Sequence, residues 1–318
     1  MLISNKNGLV SIVLFLGVHL FRKGDGACMW PTEFRDSQFY DSSRGALTFF
    51  TTTMEGWAFE PTAGSGDVYS RWECLSASAF SSSGVIMMVT NQTFPLFSQQ
   101  YYAYLCITIT SVTSASYMYY INHRIETNLN HERLFIYPVN SLTDQGTICS
   151  TNLGSSGGEY QMLVRIGTEQ QAKVDCPWPL LGRYGYTYTT SSGDTSCDLT
   201  TSDLGVCSDT QQFTFDYTAC STRVSYSQSD TVWCVNTVSD GDTNYVMLFN
   251  GNDNDALIDN VDFYKFTCMA ISDDSSAASV APMYCRPNQI PTDFAQTASG
   301  NNLGSKLEFG AAKETCRK

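Results

Sequence analysis

Tyr184-Gly-Tyr186-Thr-Tyr188-Thr and Phe213-Thr-Phe215-Asp-Tyr217 alternate a large aromatic residue with a small or polar one. That two-residue period puts three rings on one side of an extended chain, as in a strand with one buried face. Outward from these stretches, runs rich in Tyr, Phe, Thr and Val recur between clusters of Gly, Ser, Asn and Asp, and helical periodicity is hard to find. The reading is all-β. Further strands are expected near 46–52, 56–59, 68–76, 85–90, 101–110, 117–121, 134–137 and 160–166, and again at 231–238, 245–249 and 263–271. Short strands joined by short connections predict antiparallel meanders. Closing them as up-and-down barrels or folding them as two-sheet sandwiches would hide the sheet edges. A polar run follows at Ser272-Asp-Asp-Ser-Ser-Ala-Ala-Ser279, and from Pro287 onward strand signals fade, so 287–318 reads as an irregular tail.

Two phrases divide the chain: Cys28-Met-Trp30-Pro31 and Cys176-Pro-Trp178-Pro179. The interval between them is that of a small domain. Two cysteine-rich β modules are expected, at 27–170 and 171–286, with Trp30 and Trp178 as plugs over their ends. Later landmarks recur in the same order. Trp72-Glu-Cys74 answers to Trp233-Cys234, and Tyr104-Leu-Cys106 to Phe266-Thr-Cys268. From this parallel we expect Cys74 to bridge Cys106 and Cys234 to bridge Cys268.

Residues 1–26 read as a signal peptide, with Lys6 ahead of the apolar run Leu9 to Phe21 and small residues before Ala27. The run is shorter than the roughly 20 residues of a spanning helix, so no membrane span is expected after its removal. All 12 cysteines follow it, an even number that predicts disulfides in a secreted, extracellular protein. Zinc is a poor competitor, because there is no Cys-x2-Cys pair and the chain past residue 26 has only His123 and His131. The formal net charge of −13 argues against nucleic acid as a partner. The sequon Asn91-Gln-Thr93 precedes Phe94-Pro95, and Asn91 is expected to carry a glycan.

Candidate chemistry is sparse. His123 and His131, with Glu126 and Glu132 nearby, lack a third ligand or a nucleophile and read as surface residues. Asn250-Gly-Asn252-Asp253-Asn254-Asp255, with Asp259 and Asp262, offers oxygen ligands but misses the EF-hand spacing, as does Asp240-Gly-Asp242. No catalytic, cofactor or metal residues are therefore assigned. The expected function is non-enzymatic: a secreted binding or extracellular structural protein whose partner, a protein or a glycan, the residues do not name. Two alternatives stand beside it. One is carriage of a small apolar or sugar ligand in a cavity lined by Tyr102, Tyr104 and Tyr119. The other is a secreted hydrolase with paired carboxylates.

Cys176-Pro-Trp178-Pro179-Leu-Leu-Gly182-Arg-Tyr184 resembles the opening of a family of mainly invertebrate extracellular proteins built of tandem cysteine-rich domains of unknown function. Their units commonly begin Cys-x-Phe-Pro and continue to Gly-x-Trp. The resemblance runs on through Gly193-Asp-Thr-Ser-Cys197, Gly205-Val-Cys207 and Phe213-Thr-Phe-Asp-Tyr217-Thr-Ala-Cys220 to Trp233-Cys234. In the first unit Ser43-Arg-Gly45-Ala-Leu-Thr-Phe and Gly56-Trp57 are similar to it. The resemblance implies a β-rich, disulfide-bonded modular protein and no functional residues.

Overall fold

The computed structural model describes residues 20–21, 28–78, 80–139, 143–149, 158–251, 263–297 and 299–316. Its first sheet is a meander: β1 (Ser37–Asp41), β2 (Gly45–Phe49), β3 (Thr53–Phe59), β4 (Tyr69–Ala77), β5 (Ser83–Thr90), β6 (Gln99–Ser111) and β7 (Ser116–Ile121). Each pairs antiparallel with the next. β8 (Gln161–Arg165) then pairs with both β7 and β1 and closes an eight-stranded up-and-down barrel. Closure leaves no open edge among these strands, which is why this module is a barrel and not a sandwich.

Alternate strand residues, among them Phe39, Phe49, Trp57 and Trp72, fill the barrel interior together with Trp30 and Phe34 from the segment before β1. Trp57 and Trp72 meet edge to face at 5.4 Å, and the Trp72 indole donates to the Trp57 carbonyl at 2.7 Å. Each such ring contributes about 1.5–3 kcal/mol by burial. Gly56 sits in this wall at φ +104°, where a Cβ would lie 2.1 Å from the Ala46 carbonyl oxygen.

The second sheet has eleven strands and curls into a half-barrel. It runs through β9 (Gly182–Tyr184), β10 (Tyr186–Thr190), β11 (Leu204–Gly205), β12 (Gln212–Phe215), β13 (Thr231–Asp240), β14 (Thr243–Phe249), β15 (Phe266–Ser272) and β16 (Ala277–Pro282). Gly185 alone separates β9 from β10, because any Cβ there would strike the Leu199 carbonyl at 1.8 Å. The two halves of this kinked segment serve opposite ends of the sheet: β9 pairs with β11, and β10 with β17 (Ser305–Phe309). Tyr184, Tyr186, Tyr188, Phe213 and Phe215 all enter the same core.

The expected irregular tail at 287–318 is corrected by β17, which lies between β10 and β16, and by β18 (Glu314–Thr315), which pairs with β9. Leu307 drives this insertion by entering the second core. Gly304, at φ +78°, turns the chain where an added Cβ would lie 2.0 Å from the Val280 carbonyl oxygen. The end of the polar run likewise opens β16, whose residues Ala277 to Ala281 are buried on both faces.

The modules share a third core. Tyr160, Met162 and Val164, on the outer side of the barrel, pack against Val235, Met247, Phe249, Phe266 and Ala270. Tyr160 donates to the Tyr245 carbonyl at 3.0 Å, and Gly158 has no room for a Cβ against the Tyr245 ring. β8 therefore faces two cores, with Leu163 turned into the barrel and Met162 and Val164 into the junction.

All twelve cysteines are bonded, but not in the expected pairs. Cys74 bonds Cys28 and Cys106 bonds Cys149; Cys234 bonds Cys176 and Cys268 bonds Cys285. The reason is the pleat. β5 lies between Cys74 and Cys106, with Met88 opposite one and Met87 opposite the other. Two strand spacings, about 9.6 Å, exceed the roughly 7 Å reach of a disulfide, and the two side chains face opposite sides of the wall. β14 separates Cys234 from Cys268 in the same way. Cys197–Cys220 and Cys207–Cys316 complete the set.

One parallel between the two sheets remains. In each, the opening cysteine bonds the strand that carries a register shift directly after its cysteine, Cys74/Ser76 in β4 and Cys234/Asn236 in β13. The tryptophan landmark is not equivalent. Trp72 lies two residues before its cysteine and faces the barrel interior, whereas Trp233 lies one before and packs on the junction. Nor do the opening tryptophans match. Trp30 is buried against Phe49, while Trp178 is 48% exposed and plugs nothing; Pro179 and Leu180 are buried in its place.

Candidate functional site

One end of the barrel meets the segment after β16 in a cleft of about 310 Å³. The first module brings Arg44 to it on the tight turn between β1 and β2. Asp41, fully buried, shapes that turn: its Oδ1 accepts from the Ser43 and Arg44 amides, each at 2.8 Å, and its Oδ2 accepts from the Tyr119 hydroxyl at 2.6 Å. Burial raises the Asp41 carboxyl above its usual range, against the opposing pull of Tyr119, Ser43 and Arg44. Arg44 lies 3.9 Å over the Trp57 ring and forms a two-pronged pair with Glu132. Burial works against its charge, and the neighbouring Glu132 carboxylate outweighs that effect.

Glu132 and Arg133 come from the loop after β7. Asn130 and His131, both at positive φ, bend it back so that Glu126 and Glu132 bridge. Arg133 pairs doubly with Glu159, at 2.8 and 2.6 Å, and donates to the His123 carbonyl at 2.8 Å. The second module supplies Tyr284, Arg286 and Asn288. Their position is secured by the adjoining Cys268–Cys285 bond and by Gln289, which accepts from the Arg286 amide at 3.1 Å and donates to the Ser279 carbonyl at 3.2 Å. The Arg286 guanidinium stacks on Tyr284 at 4.0 Å. Three guanidiniums thus face two carboxylates, both already paired.

His131 and Glu132 line this cleft, but His123 and Glu126 line a neighbouring depression. The surface reading of His123 is corrected. The ring is 4% exposed, and its Nε2 accepts the Cys106 amide at 2.8 Å. Burial, helped by Arg133, lowers its pKa to about 4. Tyr102 and Tyr104, expected to line a cavity, alternate with the inward-facing Ala103 and Leu105 and so stand on the outer wall of β6, opposite Tyr137 and Phe135. Tyr119 is buried on Asp41.

Asn91 stands in the turn after β5, half-buried. Asn250 is buried and donates to the Ser225 carbonyl at 2.9 Å, while the rest of the expected calcium segment, 252–262, lies outside the described residues. Asp240 and Asp242 flank Gly241 in the exposed β13–β14 hairpin. Among the described residues no three His, Cys, Asp or Glu side chains group as a metal site, and no helix is long and apolar enough to cross a membrane.

None of Arg44, Arg133, Glu159 and Arg286 carries a local sequence signal. They are far apart in the chain and meet only through barrel closure and module docking.

Fold and cleft together define a disulfide-bonded pair of β modules with a polar site at their junction. Residues 172–295, less than half of the chain, match a family described as a domain of unknown function, DUF7042. No curated protein and no solved structure matches the chain. The family match ends before β17, the strand that fills the gap between β10 and β16.

Proposed function

We propose that the protein is a secreted, non-enzymatic binding protein of the extracellular space, made of two copies of one cysteine-rich β module, with the junction cleft as its binding site. The observation that carries this reading is the state of the cleft carboxylates. Glu132 and Glu159 are each tied by two hydrogen bonds to a guanidinium, an arrangement that fixes a surface and leaves neither group loose to shuttle protons. The aromatic filling of the barrel favours a junction site over a ligand carried inside. Six disulfides are consistent with an oxidising compartment.

The test uses the full oxidised chain in two assays. Immobilised on a surface, it should retain an extracellular glycan or protein in a saturable manner. Incubated with glycoside, ester and peptide substrates, it should turn over none. Turnover abolished by Glu159→Gln would overturn the reading.

A further inference from the structure

The charge left over in the cleft belongs to Arg286. Glu132 and Glu159 are committed to Arg44 and Arg133, and among the described residues no carboxylate pairs with Arg286. Its Nε is buried without an acceptor, while Tyr284 holds the guanidinium plane from one side. Across the cleft, Gln161 of the first module is 3% exposed, and its Oε1 is buried without a donor. A buried polar atom without a partner is costly and rare in native proteins. Three such atoms belong to residues that line this cavity, the Nε groups of Arg44 and Arg286 and the Oε1 of Gln161, and of these residues only Arg286 carries a charge with no carboxylate partner among the described residues.

An occupant that touches both side chains would carry an anionic acceptor for the Arg286 guanidinium and a donor for the Gln161 amide. An ammonium donor is disfavoured beside three guanidiniums, which leaves a neutral donor, and a hydroxyl is the smallest that serves. A planar carboxylate matches the guanidinium fork better than a point anion does. The volume of about 310 Å³ lies at the small end of ligand sites, which suits one ring or a short acid. We propose that the junction cleft binds a hydroxylated carboxylate, with Arg286 taking the carboxylate and Gln161 taking a hydroxyl. This rests on the reading of the protein as a binding protein.

The experiment is calorimetric titration of the full oxidised chain with glucuronate, with a glucuronate-terminated oligosaccharide, with glucose and with inorganic phosphate. The two uronate arms separate a free hydroxy acid from the end of a glycan. Glucuronate, free or terminal, should bind saturably and at least tenfold more tightly than glucose or phosphate. Arg286→Gln should weaken it at least tenfold and Gln161→Met severalfold, both with unchanged melting temperature. Equal affinity for glucose or phosphate, no uronate binding in either arm, or a fully competent Arg286→Gln variant would overturn the proposal. Retention of another glycan or protein by a chain that ignores uronates would refute the ligand assignment and leave the binding reading standing. Loss of both would refute both.

Discussion

Cys207 and Cys316 are 109 residues apart in sequence, the longest loop closed by any of the six bonds. Their bond anchors β18 against β9, beside Lys313, which donates to the Ser202 carbonyl at 2.8 Å. Replacing both cysteines by alanine frees the unfolded chain from that loop constraint. The loop-entropy relation puts the cost at about 4.8 kcal/mol at 25 °C. The Cys197–Cys220 bond, also between half-buried residues, closes a loop of 23 residues, for which the same relation gives about 3.4 kcal/mol. The comparison removes most of what is common to both replacements and leaves a difference of about 1.4 kcal/mol, a factor of ten in the unfolding equilibrium. Guanidinium chloride unfolding of both double variants and the parent, followed by near-ultraviolet circular dichroism, measures it. If loss of the 207–316 bond costs no more than loss of the 197–220 bond, the C-terminal segment is not a structural part of the second sheet and the argument fails.

His123 should make stability depend on pH. Its folded pKa of about 4 lies below the unfolded value near 6.5, so the unfolded state takes up the proton first as pH falls. Stability is therefore full above about pH 6.5 and declines towards pH 4, by about 3 kcal/mol in all. Asp41, shifted upward, opposes this slope, so the quantity to measure is the difference between parent and His123→Gln in urea titrations across that window; identical pH profiles would contradict the buried neutral ring. Gly56→Ala places a methyl group against the Ala46 carbonyl at positive φ and should destabilise the barrel by about 3 kcal/mol or more, seen as a lower midpoint in thermal melts. Expression in a glycosylating host should add a glycan mass that enzymatic deglycosylation removes and Asn91→Gln prevents; an unmodified intact mass would refute that expectation.

The strands most legible in the sequence are those in which every second residue is large and apolar. Tyr184, Tyr186 and Tyr188 announce their face directly, as do Phe213 and Phe215. β1 escapes because an aspartate holds one of its inward places: Asp41 is buried and satisfied by Tyr119, a partner that no local pattern reveals. β16 escapes for a different reason. Both of its faces are covered, so small residues suffice on either side and no alternation develops. β17 offers only Leu307 and the half-buried Phe309 as inward apolar residues, with Lys306 and Glu308 between and beside them on the other face. The cysteine landmarks marked equivalent strands but could not give partners, because pairing depends on which side of the wall each thiol faces. The cleft was the least legible feature, since its charges are assembled by two long-range events, closure of the barrel and docking of the second module.

That docking bears on where the molecule can be cut. A fragment ending at the limits of the family match, 172–295, would lose β17 and leave β10 and β16 with unpaired edges. It would leave Cys207 as an odd thiol in an oxidising environment. It would also uncover Val235, Met247, Phe249 and Phe266, which the barrel shields. Such a piece combines the three ingredients of misassembly: free strand edges, a reactive sulfur and a contiguous apolar patch. The segment that the family match delimits is thus smaller than the segment whose strand edges, cysteines and apolar face are all covered, which is the docked pair.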